Sequence, residues 1–79
     1  MKAVELREGK CYNGYRTYEY QVATAENGKK FERIKTYRRN IYGVGWGWFW
    51  ESWRPARFAD VTQTEVVPDG HKRLRLPKW

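Results

Sequence analysis

Apolar and polar residues alternate along two neighbouring stretches, Tyr18 to Ala25 and Lys30 to Tyr37, which flank Glu26-Asn27-Gly28-Lys29. Alternation of period two on either side of an Asn-Gly pair predicts a β-hairpin closed by a two-residue type I′ turn. Such a turn sets the register. Tyr18 then lies opposite Tyr37, Tyr20 opposite Lys35, Val22 opposite Arg33 and Thr24 opposite Phe31, all on one face of the sheet. Glu19, Gln21 and Ala23 lie against Thr36, Ile34 and Glu32 on the other.

Weaker versions of the pattern flank the hairpin. Ala3 to Leu6 and Lys10 to Tyr12 read as short strands broken at Glu8-Gly9, with Asn13-Gly14 a second turn candidate. From Ile41 to Trp50 the alternation places Val44, Trp46, Trp48 and Trp50 on one side and Gly43, Gly45, Gly47 and Phe49 on the other. Three glycines there disfavour a helix by about 1 kcal/mol each. A short helical turn is allowed over residues 54-60, with Pro55 in its first turn, where a missing N–H does no harm. Val61 to Val67 is β-branched and reads as a strand, Pro68-Asp69-Gly70 as a turn, and Arg73 to Leu76 as a final short strand before a tail at 77–79. The expected fold is mostly β: one domain over 1–79, a small antiparallel sheet or a partial SH3-like or OB-like barrel of about four to six strands.

Composition changes what fills that fold. Leu, Ile, Val and Phe supply only 14 of 79 residues, while five Trp and six Tyr join the three Phe. Large rings each bury roughly 150–250 Å². A chain so short of aliphatic residues is therefore expected to use most of its tryptophans as core, with one or two left on the surface. Cys11 is the only cysteine, so no intrachain disulfide forms, and a cytoplasmic protein is the simpler expectation. No stretch is long and apolar enough for a spanning helix or a signal peptide.

Charge narrows the partners. Sixteen Lys and Arg against nine Asp and Glu give a net charge of +7, which favours nucleic acid or an acidic protein surface. On the hairpin face derived above, Tyr18, Tyr20, Phe31 and Tyr37 interleave with Arg33 and Lys35, and Arg38 and Arg39 follow. Rings that stack on bases and cations that meet phosphates are what nucleic-acid binding requires. The competing reading puts the rings in the core and the cations at its margin. Arg54, Arg57, Arg73 and Arg75 are further phosphate candidates, with an ordinary charged edge strand as their alternative. Trp46, Trp48, Trp50 and Trp53 are either core or an exposed aromatic patch.

Catalysis finds no constellation. Cys11 and His71 are single members of their types, and one of each makes neither a nucleophile pair nor a structural zinc site. Glu51, Asp60, Glu65 and Asp69 lack metal-ligand spacing, and Gly43-Val44-Gly45-Trp46-Gly47 lacks the Lys-Ser/Thr of a phosphate loop. No cofactor or metal is expected. The expected function is a basic nucleic-acid-binding module. The alternative is a protein-binding inhibitor or adaptor, since the short, Trp-rich chain resembles, as a loose class, the small accessory proteins of phages and mobile elements.

Overall fold

Three long strands form the body of the sheet. In the computed structural model, which describes residues 1–12, 14–40, 42–43, 45–57 and 63–77, β1 is Ala3–Tyr12, β2 Thr17–Ala25 and β3 Lys30–Arg39. Three shorter strands follow: β4 (Trp46–Trp50), β5 (Arg54–Pro55) and β6 (Thr64–Val66). Their order is β4-β3-β2-β1-β6, all neighbours antiparallel, with β5 also on β3, beside β4. The sheet is open, with β4 and β6 at its edges; it does not close into a barrel.

Several expectations change. Glu8-Gly9 does not break β1, which runs through it. Gly9 serves instead as the place where β6 approaches, since a Cβ there would collide with the Gln63 carbonyl oxygen. Arg7 secures the same strand by donating to Thr64 Oγ1 at 3.0 Å and to the Thr64 carbonyl at 3.2 Å. Of the expected helical turn, Arg54–Pro55 is a strand pairing Glu32 and Phe31, tolerated because proline at a sheet edge need donate nothing outward; residues 58–60 lie outside the described residues. Strand β6 covers only the end of the Val61–Val67 stretch, and Val61 and Thr62 are likewise not described. Residues 68–73 form successive turns rather than a return strand, with only Arg75 bridging Lys2. Asn13, Ile41, Val44 and the tail residues Lys78 and Trp79 also lie outside the described set.

The hairpin forms, but its loop has three residues. Gly28 N–H donates to the Ala25 carbonyl at 2.9 Å and Ala25 N–H to the Lys29 carbonyl at 2.7 Å. Gly28 takes φ +87° while Asn27 stays at negative φ, a type I turn closed by a glycine bulge rather than type I′. The register moves by one residue, pairing Tyr20 with Ile34, Gln21 with Arg33, Val22 with Glu32 and Ala23 with Phe31. Because side chains alternate with period two, that slip separates residues expected to share a face.

The main core cluster occupies one end of one face, while Tyr20, Val22 and Glu32 are buried on the other. Ala3, Leu6, Ala23, Ala25, Phe31 and Leu76 are buried together, with Met1, Trp53, Val67 and Leu74 packed against them. The segment from Val67 to Leu76 covers that end, tied by Leu76 N–H to the Met1 carbonyl at 2.7 Å and Val67 N–H to the Leu6 carbonyl at 2.9 Å. A ten-residue strand is about 33 Å long. The covering segment reaches the end of β3 that holds Phe31, and the far end of β3, where β4 pairs, keeps its face open.

Candidate functional site

On that open end, pairing of β4 with β3 aligns two rows of side chains. Arg39 lies opposite Trp46, Tyr37 opposite Trp48 and Lys35 opposite Trp50, all on the face that also carries Glu19, Gln21 and Arg33. Trp46, Trp48 and Tyr37 are 64%, 56% and 54% exposed. These rings form one patch. Tyr37 stacks on Trp46 with centroids 5.9 Å apart and planes 18° from parallel, and it meets Trp48 at 5.4 Å and 57°. The expectation that most tryptophans fill the core is not met: Trp46 and Trp48 lie on the surface, and Trp50 and Trp53 are half-buried. The core is closed by Leu6, Phe31 and Leu76 at the other end of the sheet, out of reach of β4.

Beside the patch, one arginine is held fast. Arg33 Nε donates to Gln21 Oε1 at 2.7 Å, and Gln21 Nε2 donates to Glu8 Oε1 at 2.5 Å. Its guanidinium lies over Trp53 at 4.3 Å and over Trp50 at 4.9 Å, a cation-π arrangement that fixes both rings. Burial pulls the Arg33 guanidinium below its ordinary pKa, while the Glu8 carboxylate acts the other way; arginine stays charged regardless. Arg33 therefore positions the end of the aromatic row rather than offering itself to a ligand. Lys35 sits 5.7 Å from the Trp50 ring and 3.5 Å from Glu19 Oε2. A groove of about 330 Å³ lined by Thr17, Glu19, Lys35 and Trp48 opens there.

Arg38 and Arg39 are exposed at the end of β3, and neither forms an ion pair with a carboxylate among the described residues. Arg39 shares the face of the rings; Arg38 points to the other side and lies over Phe49 at 5.5 Å. A second hollow, about 250 Å³, is lined by Arg38, Arg39, Asn40, Tyr42 and Phe49. The outer edge of β4 is also available. Glu51 N–H bonds the Ile34 carbonyl at 2.9 Å and Asn40 N–H the Gly45 carbonyl at 3.0 Å, so odd-numbered residues of β4 face β3. Trp46, Trp48 and Trp50 thus aim their backbone N–H and C=O outward.

Other expected site residues fall elsewhere. Tyr20 does not share the face of Arg33 and Lys35: the register slip turns it to the opposite side, fully buried, where its hydroxyl donates to Glu32 Oε2 at 2.9 Å. Arg54 joins the same group, with Nε 3.4 Å from Glu32 Oε1, and is a structural cation rather than a phosphate ligand. Arg57, Arg73 and Arg75 are exposed but stand apart from β4 in the sheet. Alternation within Trp46–Trp50 is readable in the sequence; the pairing of β4 with the far end of β3, which builds the patch, carries no local signal.

Among the described residues, no group of three His, Cys, Asp or Glu is placed to hold a metal ion, and no helix is long and apolar enough to cross a membrane. Cys11 is half-buried, and burial followed by the Glu32 charge raises its thiol pKa. Tyr20 is raised further, by burial first and then by its bond to Glu32. Both groups keep their protons in the folded protein at pH values where the unfolded chain, with pKa values near 9.0 and 10.0, releases them. The unfolded state then binds fewer protons, so their contribution to stability is intact below about pH 9 and falls as pH rises. The expected loss is at most about 1.4 kcal/mol per pH unit for each group. Tyr20→Phe should cost about 1–3 kcal/mol at pH 7 yet decline less steeply in urea melts from pH 8 to 11; an unchanged slope would place the alkaline lability elsewhere.

No family model matches this sequence, and neither a curated protein nor a solved structure matches it, so the reading of the site rests on its own geometry.

Proposed function

We propose that this protein is a nucleic-acid-binding module whose contact surface is the open β3–β4 face. The observation that carries the reading is the continuous patch of Tyr37, Trp46 and Trp48 bordered by Arg39 and Lys35. Exposed rings are costly to leave in water, and bases stack on them with little regard to sequence, while the cations answer phosphates. Arg39 on this face and Arg38 on the reverse of the same strand end have no carboxylate partner among the described residues, which leaves Arg39 available to a polyanion on the rings, and the net charge of +7 draws one in. The surface lies on the β3–β4 pair rather than on the β2–β3 hairpin, without Tyr20, Arg33 and Arg54, and Arg57, Arg73 and Arg75 stand apart from it.

A salt titration of binding to labelled single-stranded and duplex oligonucleotides tests it. Affinity should fall linearly on a log-log plot, and changing Lys35 and Arg39 to alanine should reduce the slope by about one for each phosphate that is no longer neutralised. Absence of binding at low salt by a folded protein would remove this reading.

One observation favours a second reading, a partner protein with an acidic surface that the chain would inhibit or adapt. Strand β4 is uncharged, lies at the sheet edge and presents the outward backbone groups of Trp46, Trp48 and Trp50, which suits pairing with an extended segment. Capture of a defined protein from nuclease-treated lysate, abolished by Trp48→Ala, would support it.

A further inference from the structure

We infer that the ligand of the β3–β4 face is an unpaired strand held extended, with its bases on the exposed Trp46 and Trp48 rings. The inference rests on the nucleic-acid reading above and follows from the spacing of the rings.

Side chains on one face of a strand recur every second residue, about 6.8 Å apart. On β4 that row is Trp46, Trp48 and Trp50; on β3 it is Arg39, Tyr37 and Lys35, in register with the first. Stacked nucleotides in a strand rise only about 3.4 Å each. A strand that keeps its bases stacked therefore cannot give neighbouring bases to neighbouring rings, whereas an unstacked one can. Duplex ends aside, paired bases also hide both faces and leave only phosphates for this surface.

Which rings are free decides where the bases sit. Trp50 lies under Arg33 at 4.9 Å and Lys35 at 5.7 Å, and Trp53 under Arg33 at 4.3 Å, so those two rings are already occupied. Tyr37 is stacked on Trp46 at 5.9 Å and meets Trp48 at 5.4 Å, which leaves Trp46 and Trp48, two residues apart on β4 and each more than half exposed, as the rings that take bases. Arg39 at one end of the β3 row and Lys35 at the other stand where flanking phosphates would pass, and Lys35 must share its charge with Glu19, 3.5 Å away. Arg39 is therefore the stronger phosphate contact of the two.

The test compares four probes on the intact protein: a twelve-nucleotide dT strand, an abasic strand of equal phosphate number, a duplex of equal length and a twelve-nucleotide dA strand. Expected results are affinity for dT at least tenfold above the abasic strand and duplex, and loss of the stacked circular-dichroism signature of dA on binding. Trp48→Ala should erase the preference for dT over the abasic strand. Equal binding of dT, abasic and duplex probes would overturn the inference while leaving a charge-driven nucleic-acid reading intact, as would retention of the stacked dA signal in the complex. No binding of any probe would overturn both.

Discussion

Replacing Trp46 and Trp48 together with alanine is expected to weaken binding to single-stranded oligonucleotides by at least about 30-fold, because each base stacked on a ring contributes about 1–3 kcal/mol. Folding should barely notice. Both side chains are more than half exposed and stand against the Tyr37 ring, so the combined cost in stability should be about 1 kcal/mol. The contrast is Trp53→Ala, which removes a ring packed against the core and against Arg33; its stability loss should reach about 3 kcal/mol. Fluorescence anisotropy with a labelled oligonucleotide and urea denaturation on the same three proteins separate the two effects. Wild-type affinity in the Trp46/Trp48 double variant would remove the rings from the contact surface.

Arg54→Ala is the second large expectation, and it concerns the opposite face. Glu32 is fully buried, accepts from Tyr20 at 2.9 Å and has Arg54 Nε at 3.4 Å. Without the cation, a carboxylate stays in a medium of low polarity with less to offset its missing hydration, and removing one partner of a buried pair costs about 3–5 kcal/mol. Arg54 is itself 42% exposed, so solvent screening places the expected loss near the lower figure, about 3 kcal/mol. For a chain of this size that is a large share of a total of about 4–12 kcal/mol. Adding Glu32→Gln to the Arg54→Ala protein should recover part of the loss, since the neutral amide still accepts from Tyr20 without needing a cation. A urea midpoint unchanged by Arg54→Ala would show that Glu32 is satisfied without it.

Both expectations depend on features of unequal visibility in the sequence. Alternation in Tyr18 to Ala25, Lys30 to Tyr37 and Trp46 to Trp50 reports directly on which side chains share a face within one strand, because the period of the pleat is local. The relation between strands is not local. Asn27-Gly28 signals a turn, yet two-residue and three-residue loops both accept that pair, and the choice moves Tyr20 from the face of Arg33 to the face of Glu32. Nor can a local pattern show that Gly9 makes room for β6 rather than ending a strand, since the reason is a carbonyl more than fifty residues away. Arg54 reads as a surface cation for the same reason: its carboxylate partner is 22 positions earlier in the chain.

What the amino-acid sequence determined alone is the mostly β class, the hairpin, the alternation of the tryptophans and the positive charge, all properties of neighbouring residues and of composition. Tertiary structure decided which rings are buried. The covering segment from Val67 to Leu76 closes only the end of the sheet that holds Leu6, Ala23 and Phe31, so β4, paired at the far end of β3, leaves Trp46 and Trp48 in solvent beside Tyr37 and Arg39. A composition poor in aliphatic residues pointed to an aromatic core, but burial follows from where the chain places its few covering residues, and that is settled by strand pairing across the whole length of the protein.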